Sequence, residues 1–149
     1  MELYPDFKEL LELLNAHEVD YLIVGGYALA LHGAPRFTGD LDIYLSTHRD
    51  NAAKVMTVLK EFGFGAVNLT TDDFTQDDQI IQLGVPPVRI DLITSIDGVE
   101  WDTAWSNREK GNWAQVPVCY LSRNDFIENK RASGRYKDLA DIESLDETP

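Results

Sequence analysis

YLIVGGYALALHGAPRFTGDLDIYLS, residues 21–46, reads as strand, glycine pair, short helix, loop and second strand. Tyr21 to Val24 is an apolar, partly β-branched run of the kind that forms a buried strand. Gly25 and Gly26 end it. Ala28 to His32 then reads as helix, stopped by Gly33, Ala34 and Pro35. From Thr38 to Ser46 the chain alternates, with Leu41, Ile43 and Leu45 on one face and Asp40, Asp42 and Tyr44 on the other. Period two is the strand period.

Two chemistries meet in this stretch. A glycine pair lets the backbone approach a ligand closely, because no Cβ stands in the way. The helix after it offers free N–H groups and a partial positive charge, which suit a phosphate. Asp40 and Asp42 share a strand face, with Cβ atoms roughly 6.5–7 Å apart from the strand rise. Mg²⁺ takes hard oxygen ligands, commonly one or two carboxylates together with substrate phosphates. A phosphate cradle beside a carboxylate pair is what phosphoryl or nucleotidyl transfer requires. Taken singly, an Asp-x-Asp is also the wet face of an amphipathic strand and a Gly-Gly is also a turn; their order and spacing are what favour the functional reading.

The rest of the chain is read outward from there. Its 149 residues are enough for a single domain with one core, over residues 1–149, and 44% are hydrophobic. Asp6 to Ala16 has apolar residues at Phe7, Leu10, Leu11 and Leu14, the spacing of an amphipathic helix. Arg49 to Phe62 reads as a second long helix, closed by Gly63. Phe64 to Asp78 is irregular and acidic, and its cluster Asp72, Asp73, Asp77 and Asp78 is open to two readings, a solvated loop or a cation site. Gln79 to Leu83 and Val88 to Thr94 read as two strands joined by a hairpin turn at Gly84 to Pro87. Asp91 projects from the face opposite Val88, Ile90 and Leu92, alongside Arg89 and Ile93. If that strand lies next to the one bearing Asp40 and Asp42, three carboxylates converge. Glu100 to Trp105 reads as a short helix with Trp101 and Trp105 on one buried face, Lys110 to Asn112 as a turn, and Trp113 to Tyr120 as one or two strands. Ser122 to Ala132 is a helix with Ser122 as N-cap, Gly134 breaks it, and Tyr136 to Leu145 forms the last helix. The tail Asp146 to Pro149 is expected to fray.

Charge narrows the function. With 26 acidic against 13 basic residues the net charge is −13, which argues against non-specific DNA binding, since that needs Lys and Arg to displace counterions. Five of the 13 basic residues nonetheless lie between Arg123 and Lys137, a concentration that a triphosphate site would use. The one cysteine, Cys119, reads as a buried strand residue, and His17, His32 and His48 have no metal-ligand spacing and read as structural or solvent-facing. No apolar run reaches the roughly 18 residues of a membrane span, and the N-terminus lacks the basic start and apolar core of a signal peptide. A cytoplasmic protein is the default expectation.

The pattern Gly25-Gly26, a dozen residues, then Asp40-Leu41-Asp42 resembles the signature of the DNA polymerase β nucleotidyltransferase superfamily. The fuller string VGGYALALHGAPRFTGDLDI is similar to its minimal, stand-alone members, with AbiEii-type toxins as relatives. The segment DFIENKRASGRYKDLADIESL resembles the C-terminal motif of the same toxin-like group, with Lys130 matching its first lysine and Lys137-Asp138 its basic-acidic pair. Many superfamily members carry Gly-Ser where this chain has Gly25-Gly26. The larger relatives also carry an appended helical or RNA-binding domain, which this chain is expected to lack.

The resemblance implies an α/β (α+β) nucleotidyltransferase fold, a mixed central sheet with flanking helices. It implies an enzyme that moves a nucleoside monophosphate from a nucleoside triphosphate such as ATP to an acceptor, with RNA, protein and small molecules all open. Asp40, Asp42 and Asp91 would be the catalytic residues and would hold Mg²⁺ or Mn²⁺. Gly25, Gly26, Arg36, Thr38, Lys130 and Lys137 would bind the nucleotide, whereas Asp138 is expected to orient a basic partner or cap its helix. A toxin–antitoxin setting, with a partner protein, follows from the same resemblance. The alternative is a catalytically weak nucleotide-binding or antitoxin-like protein that keeps the fold. A sugar transferase also uses Asp-x-Asp, but there the pair follows a strand, whereas here it opens one after Gly-Gly.

Overall fold

The computed structural model describes residues 3–64 and 68–146. Its centre is a mixed six-stranded sheet flanked by helices, the α/β architecture expected from the sequence. In chain order the elements are α1 (Pro5–Ala16), β1 (Tyr21–Val24), α2 (Gly25–Leu31), β2 (Asp40–Leu45), α3 (Arg49–Leu59), β3 (Ile80–Leu83), β4 (Arg89–Ile93), α4 (Trp101–Ser106), β5 (Glu109–Trp113), β6 (Val116–Tyr120), α5 (Arg123–Ser133) and α6 (Tyr136–Ser144). The strand order across the sheet is β3-β4-β2-β1-β6-β5.

The register follows from which faces are apolar. Leu41, Ile43 and Leu45 are wholly buried on one side of β2. A slip of one residue would exchange them for Asp40, Asp42 and Tyr44. β1 runs antiparallel to β2, with Val24 opposite Asp42, and β4 runs parallel to β2, with Leu41 opposite Ile90 and Ile43 opposite Leu92. The helix α1 buries Phe7, Leu10, Leu11 and Leu14, as its periodicity predicts. Helix α3 buries Ala52, Val55, Val58 and Leu59 and ends earlier than the expected Phe62, running into a wider turn over Lys60–Phe64 in which Gly63 leaves helical geometry. Ser122 caps α5 by accepting the Asp125 N–H at 3.2 Å, and Gly134 closes that helix in the left-handed conformation at φ +69°. Among the described residues no helix is long and apolar enough to cross a membrane.

Several expectations are corrected. The helix after β1 begins at Gly25 itself and not at Ala28. Lys110 to Asn112 belong to β5; the turn falls at Ala114 and Gln115, both with positive φ, in the two-residue geometry that joins twisted strands. Trp101 and Trp105 are half-buried and stack on each other at 5.3 Å, while Ala104 is the residue that α4 buries. Trp113 is core, packed on Tyr27 at 4.8 Å. Cys119 is a strand residue as expected, but half-buried.

The acidic stretch before β3 is accounted for by capping and surface pairs. Asp73 accepts from the Thr70 N–H at 2.7 Å, Asp72 pairs with Arg49 at 3.1 Å, and Asp78 accepts from the Ser95 hydroxyl at 2.6 Å. Residues 65–67 of that stretch and 147–149 of the expected frayed tail lie outside the described residues. The histidines are structural or exposed: His17 contacts Glu61 at 2.6 Å, His32 contacts the Leu121 carbonyl at 2.7 Å, and His48 is exposed.

Candidate active site

Asp40 and Asp42 alternate with the buried leucine and isoleucine of β2 and leave the sheet on its other face. The parallel pairing sets Asp42 opposite Asp91 and Asp40 opposite Arg89. The three aspartates each offer one carboxylate oxygen, and these oxygens all lie within 4.8 Å of one another. Among the described residues this is the one group of three or more acidic, histidine or cysteine side chains arranged to hold a metal ion.

The glycine pair adjoins it. Gly25 turns the chain from β1 into α2 at φ +66°, and a Cβ there would overlap the Asp42 carboxylate. No other residue type combines that backbone conformation with that approach. Gly26 is buried, and a Cβ on it would meet Thr38 at 2.9 Å and the Arg36 Nη1 at 3.3 Å. The Thr38 hydroxyl donates to Asp40 Oδ1 at 3.2 Å. Arg36, Thr38, the two glycines and the triad are therefore contiguous.

Arg89 was not foreseen as part of this group. Its Nη2 donates to Asp40 Oδ2 at 2.8 Å and its Nε lies 3.2 Å from Asp91 Oδ1. One guanidinium does not balance three carboxylates. Burial and the repulsion of Asp40 and Asp91 push the Asp42 carboxyl up to about 8. Burial and Asp40 also raise Asp91. Burial opposes the Asp40 charge too, but hydrogen bonds from Asp91, Arg89, Asp42 and Thr38 outweigh it and hold Asp40 below the usual carboxylate range. The cluster thus keeps one firm anion, while its other two carboxyls hold their protons more tightly than free carboxyls do. Asp42 Oδ1 is buried and, among the described residues, has no hydrogen-bond donor. A buried carboxylate oxygen without a partner, beside two further carboxylates, is the hard-oxygen donor set that fits a divalent cation.

The basic segment is arranged differently from what its charge alone predicts. Lys130 does not face an open cleft. It is buried between α5 and α6, with its ammonium 3.2 Å from Asp138 and 3.3 Å from Asp141. Asp138 also accepts from Arg135 at 2.8 Å and from its backbone N–H at 3.3 Å, so it both orients basic partners and caps α6, as expected. Lys137 is exposed on α6. Asp141, which sequence reasoning missed, accepts two hydrogen bonds from Arg36, at 2.8 and 3.1 Å, and so ties the last helix to the loop beside Gly26. The signal for Arg89 was its place on the Asp91 face of the strand; the signal for Asp141 was its position one turn beyond Asp138.

Next to Asp42 on the same strand face, Tyr44 walls a cleft of about 570 Å³ that includes Thr47, Asp77, Asp78, Glu100 and Trp101. Tyr44 meets Trp101 edge to face at 5.0 Å. Burial, with Asp77, Glu100 and Asp102 around it, pushes its phenol up to about 12, so this cleft is acidic and aromatic.

A sequence model of the aminoglycoside-2''-adenylyltransferase family matches residues 6–132. No curated protein sequence matches significantly. Among solved structures, a nucleotidyltransferase candidate from Thermotoga maritima is similar over 93% of this chain and 85% of its own, at 16% identity and a TM-score of 0.56. An antigenic nucleotidyltransferase-like protein from Paracoccidioides brasiliensis is similar over 93% of this chain and 71% of its own, at 21% identity and a TM-score of 0.57. At such identities the structural likeness carries the fold alone. The family match spans most of the chain, and the chain belongs to the aminoglycoside-2''-adenylyltransferase family, within the nucleotidyltransferase superfamily.

Proposed function

We propose that this member of the aminoglycoside-2''-adenylyltransferase family moves a nucleoside monophosphate from a nucleoside triphosphate to an acceptor hydroxyl. The observation that carries the proposal is the convergence of Asp40, Asp42 and Asp91 within 4.8 Å, beside Gly25. Asp40, Asp42 and Asp91 would hold Mg²⁺ or Mn²⁺, which supplies charge stabilisation for the attacking and leaving oxygens when bound. The unpaired Asp42 Oδ1 supports that assignment.

The chain's own groups divide the remaining work. Arg36 and Thr38, against Gly26, bind and orient the triphosphate. Asp91, whose carboxyl is held above its ordinary range, accepts the proton of the acceptor hydroxyl. The acceptor oxygen bonds to the α-phosphorus, the bond from that phosphorus to the bridging oxygen breaks, and pyrophosphate leaves. Lys130 contributes by ordering its neighbours and not as a direct phosphate contact, because its charge is already matched by two carboxylates. Exposed Lys137 remains available to phosphate as a flexible point charge.

The family name specifies the 2''-hydroxyl of an aminoglycoside as acceptor. The cleft walled by Tyr44, with Asp77, Asp78 and Glu100, suits a sugar bearing ammonium groups, and the net charge of −13 would draw a polycation in. The test is incubation with each labelled triphosphate, Mg²⁺ or Mn²⁺, and either an aminoglycoside, RNA or cell protein. Transfer that disappears in Asp40→Asn and Asp42→Asn proteins is the expected result. Absence of transfer to every acceptor, from a protein that binds nucleotide, would overturn the assignment.

One observation favours a second reading. Arg89 already sits on Asp40 and Asp91, which suits a nucleotide-binding protein with weak catalysis, the antitoxin-like partner. The same assay separates the two readings, since this one predicts tight binding without turnover. A toxin role rests on the resemblance of the C-terminal segment, and growth arrest on expression, relieved by Asp42→Asn, is its test.

A further inference from the structure

We propose that Asp141, on α6, is a positioning residue that turns Arg36 toward the phosphates of a bound nucleoside triphosphate. The α5–α6 pair then serves the nucleotide site through Arg36. This rests on the nucleotidyl-transfer reading above.

A guanidinium has five N–H groups in a planar fork. Arg36 gives its Nε–H and one Nη2–H to the two oxygens of Asp141, at 2.8 and 3.1 Å, and one Nη1–H to the Phe37 carbonyl at 3.1 Å. Among the described residues two of its N–H groups have no partner, one on each terminal nitrogen. Such a pair matches two oxygens of one phosphate. Nη1 lies 3.3 Å from the point where a Cβ on Gly26 would stand, and the preceding glycine touches Asp42. The remaining donors are thus held within the contiguous group formed by the glycine pair and the carboxylates. The Arg36 side chain is 27% exposed, so a ligand reaches it.

Asp141 is itself immobilised. Its side chain is 3% exposed, and its Oδ2 also receives the Lys130 ammonium at 3.3 Å. Lys130 is in turn held by Asp138, which is wholly buried. A loose surface pair would let the guanidinium wander among rotamers. This one is fixed from behind by a lysine that has no access of its own, which is what a preorganised phosphate clamp needs.

The experiment measures ATP affinity by calorimetry in Mg²⁺ for the wild type, Asp141→Asn, Arg36→Ala, Arg36→Lys and the double variant Arg36→Ala/Asp141→Asn, with a thermal melt of each. Losing a bidentate charge-assisted contact corresponds to roughly tenfold or more in Kd. Arg36→Ala and Asp141→Asn are each expected to lose about that much, and the double variant no more than Arg36→Ala alone, because Asp141 acts through Arg36. Arg36→Lys is expected to recover little, since an ammonium lacks the fork. A purely structural role for Asp141 gives a lower melting temperature with wild-type ATP affinity, and that result overturns the proposal. If Asp141→Asn does not fold, Asp141→Ser replaces it: a folded Asp141→Ser protein with wild-type ATP affinity, or unchanged affinity in Arg36→Ala, overturns the proposal, and an affinity loss in Asp141→Ser matching that of Arg36→Ala supports it. Loss of ATP binding in Asp42→Asn without any loss in the Arg36 variants sinks this inference and leaves the transferase reading standing. Failure of the wild type to bind any of the four triphosphates sinks both.

Discussion

The carboxylates of β2 and β4 and the ion network of α5 and α6 are built from the same residue types, yet only one of them is balanced. In the first, three aspartates share a single arginine, one oxygen of Asp42 has no partner, and its proton is held up to about 8. In the second, Asp138 and Asp141 are matched by Lys130, Arg135 and Arg36. Arg135 and Lys130 overcome the burial of Asp138 and hold its carboxyl below the usual range. A charge cluster that completes itself serves the fold; one left short of a counter-charge is a candidate site for a ligand.

The largest effect should come from breaking the balanced cluster. Lys130→Ala leaves two buried carboxylates facing each other, and removing one partner of a buried pair costs about 3–5 kcal/mol. Thermal melts should show a fall on the order of 10 °C for a chain of this size. A melt unchanged from wild type would mean that the network is not structural.

Next comes Gly25→Ala. The positive φ at that position costs roughly 1–2 kcal/mol for a residue with a Cβ, and the Cβ would press on the Asp42 carboxylate. Stability and Mg²⁺-dependent nucleotide binding should fall together. Retention of both would make the glycine pair an ordinary turn. Gly26 behaves differently from the plain expectation of a bare phosphate seat, because Thr38 and Arg36 already fill the space a side chain would enter.

A third comparison uses pH. The Asp42 pKa is raised from 3.8 to about 8 in the fold, so the folded state holds more protons than the unfolded chain within that window. Stability must therefore fall as pH rises through it. Asp138 has the opposite sign: its pKa is lowered, so its contribution is present above the ordinary carboxylate range and is lost as pH falls through the lowered value. In chelator-treated protein, urea midpoints should decline on both sides of an optimum near the ordinary carboxylate pKa of about 4, as far as these two groups set it. Asp42→Asn should flatten the alkaline side, raising the midpoint above that of the wild type at pH 8, and leave the acid side alone. An unchanged alkaline slope would remove Asp42 as its cause.

The smallest effect is expected from Arg135→Ala. Its side chain is 71% exposed, and Lys130 still holds Asp138 after it is gone. Such exposed pairs contribute under about 1 kcal/mol. A loss as large as that of Lys130→Ala would show that the outer arginine, and not the buried lysine, neutralises the hairpin.

These two clusters were not equally readable in the sequence. The triad was legible because strand alternation fixes a side chain's face from its own neighbours, so Asp40, Asp42 and Asp91 declared themselves and needed only the β2–β4 pairing. Arg89 stood on the same face and was passed over, since charge on a strand face is ordinarily solvent-facing. The Lys130 network was hidden for a different reason. Its partners lie on another helix, and a run such as NKRASGRYKD looks the same whether its lysine reaches a ligand or a buried carboxylate. β5 was hidden because Glu109 to Asn112 sits at the sheet's edge and lacks the apolar alternation of a half-buried strand. Its hairpin turn carries neither Gly nor Asn at Ala114 and Gln115.

The parallel pairing of β2 with β4 has one more consequence. Arg89 and Asp40 meet although they are 49 positions apart in the chain, and Asp91 joins Asp42 by the same crossing. Before that crossing forms, the three carboxylates lie on two separate segments. Whatever binds all three carboxylates therefore recognises the assembled sheet and has no site on the unfolded chain, so its concentration enters the folding equilibrium directly. A cut between α3 and β3 would divide the ligand set between two fragments, and occupancy of the site would then report, as a binding signal, on whether the two halves had found each other.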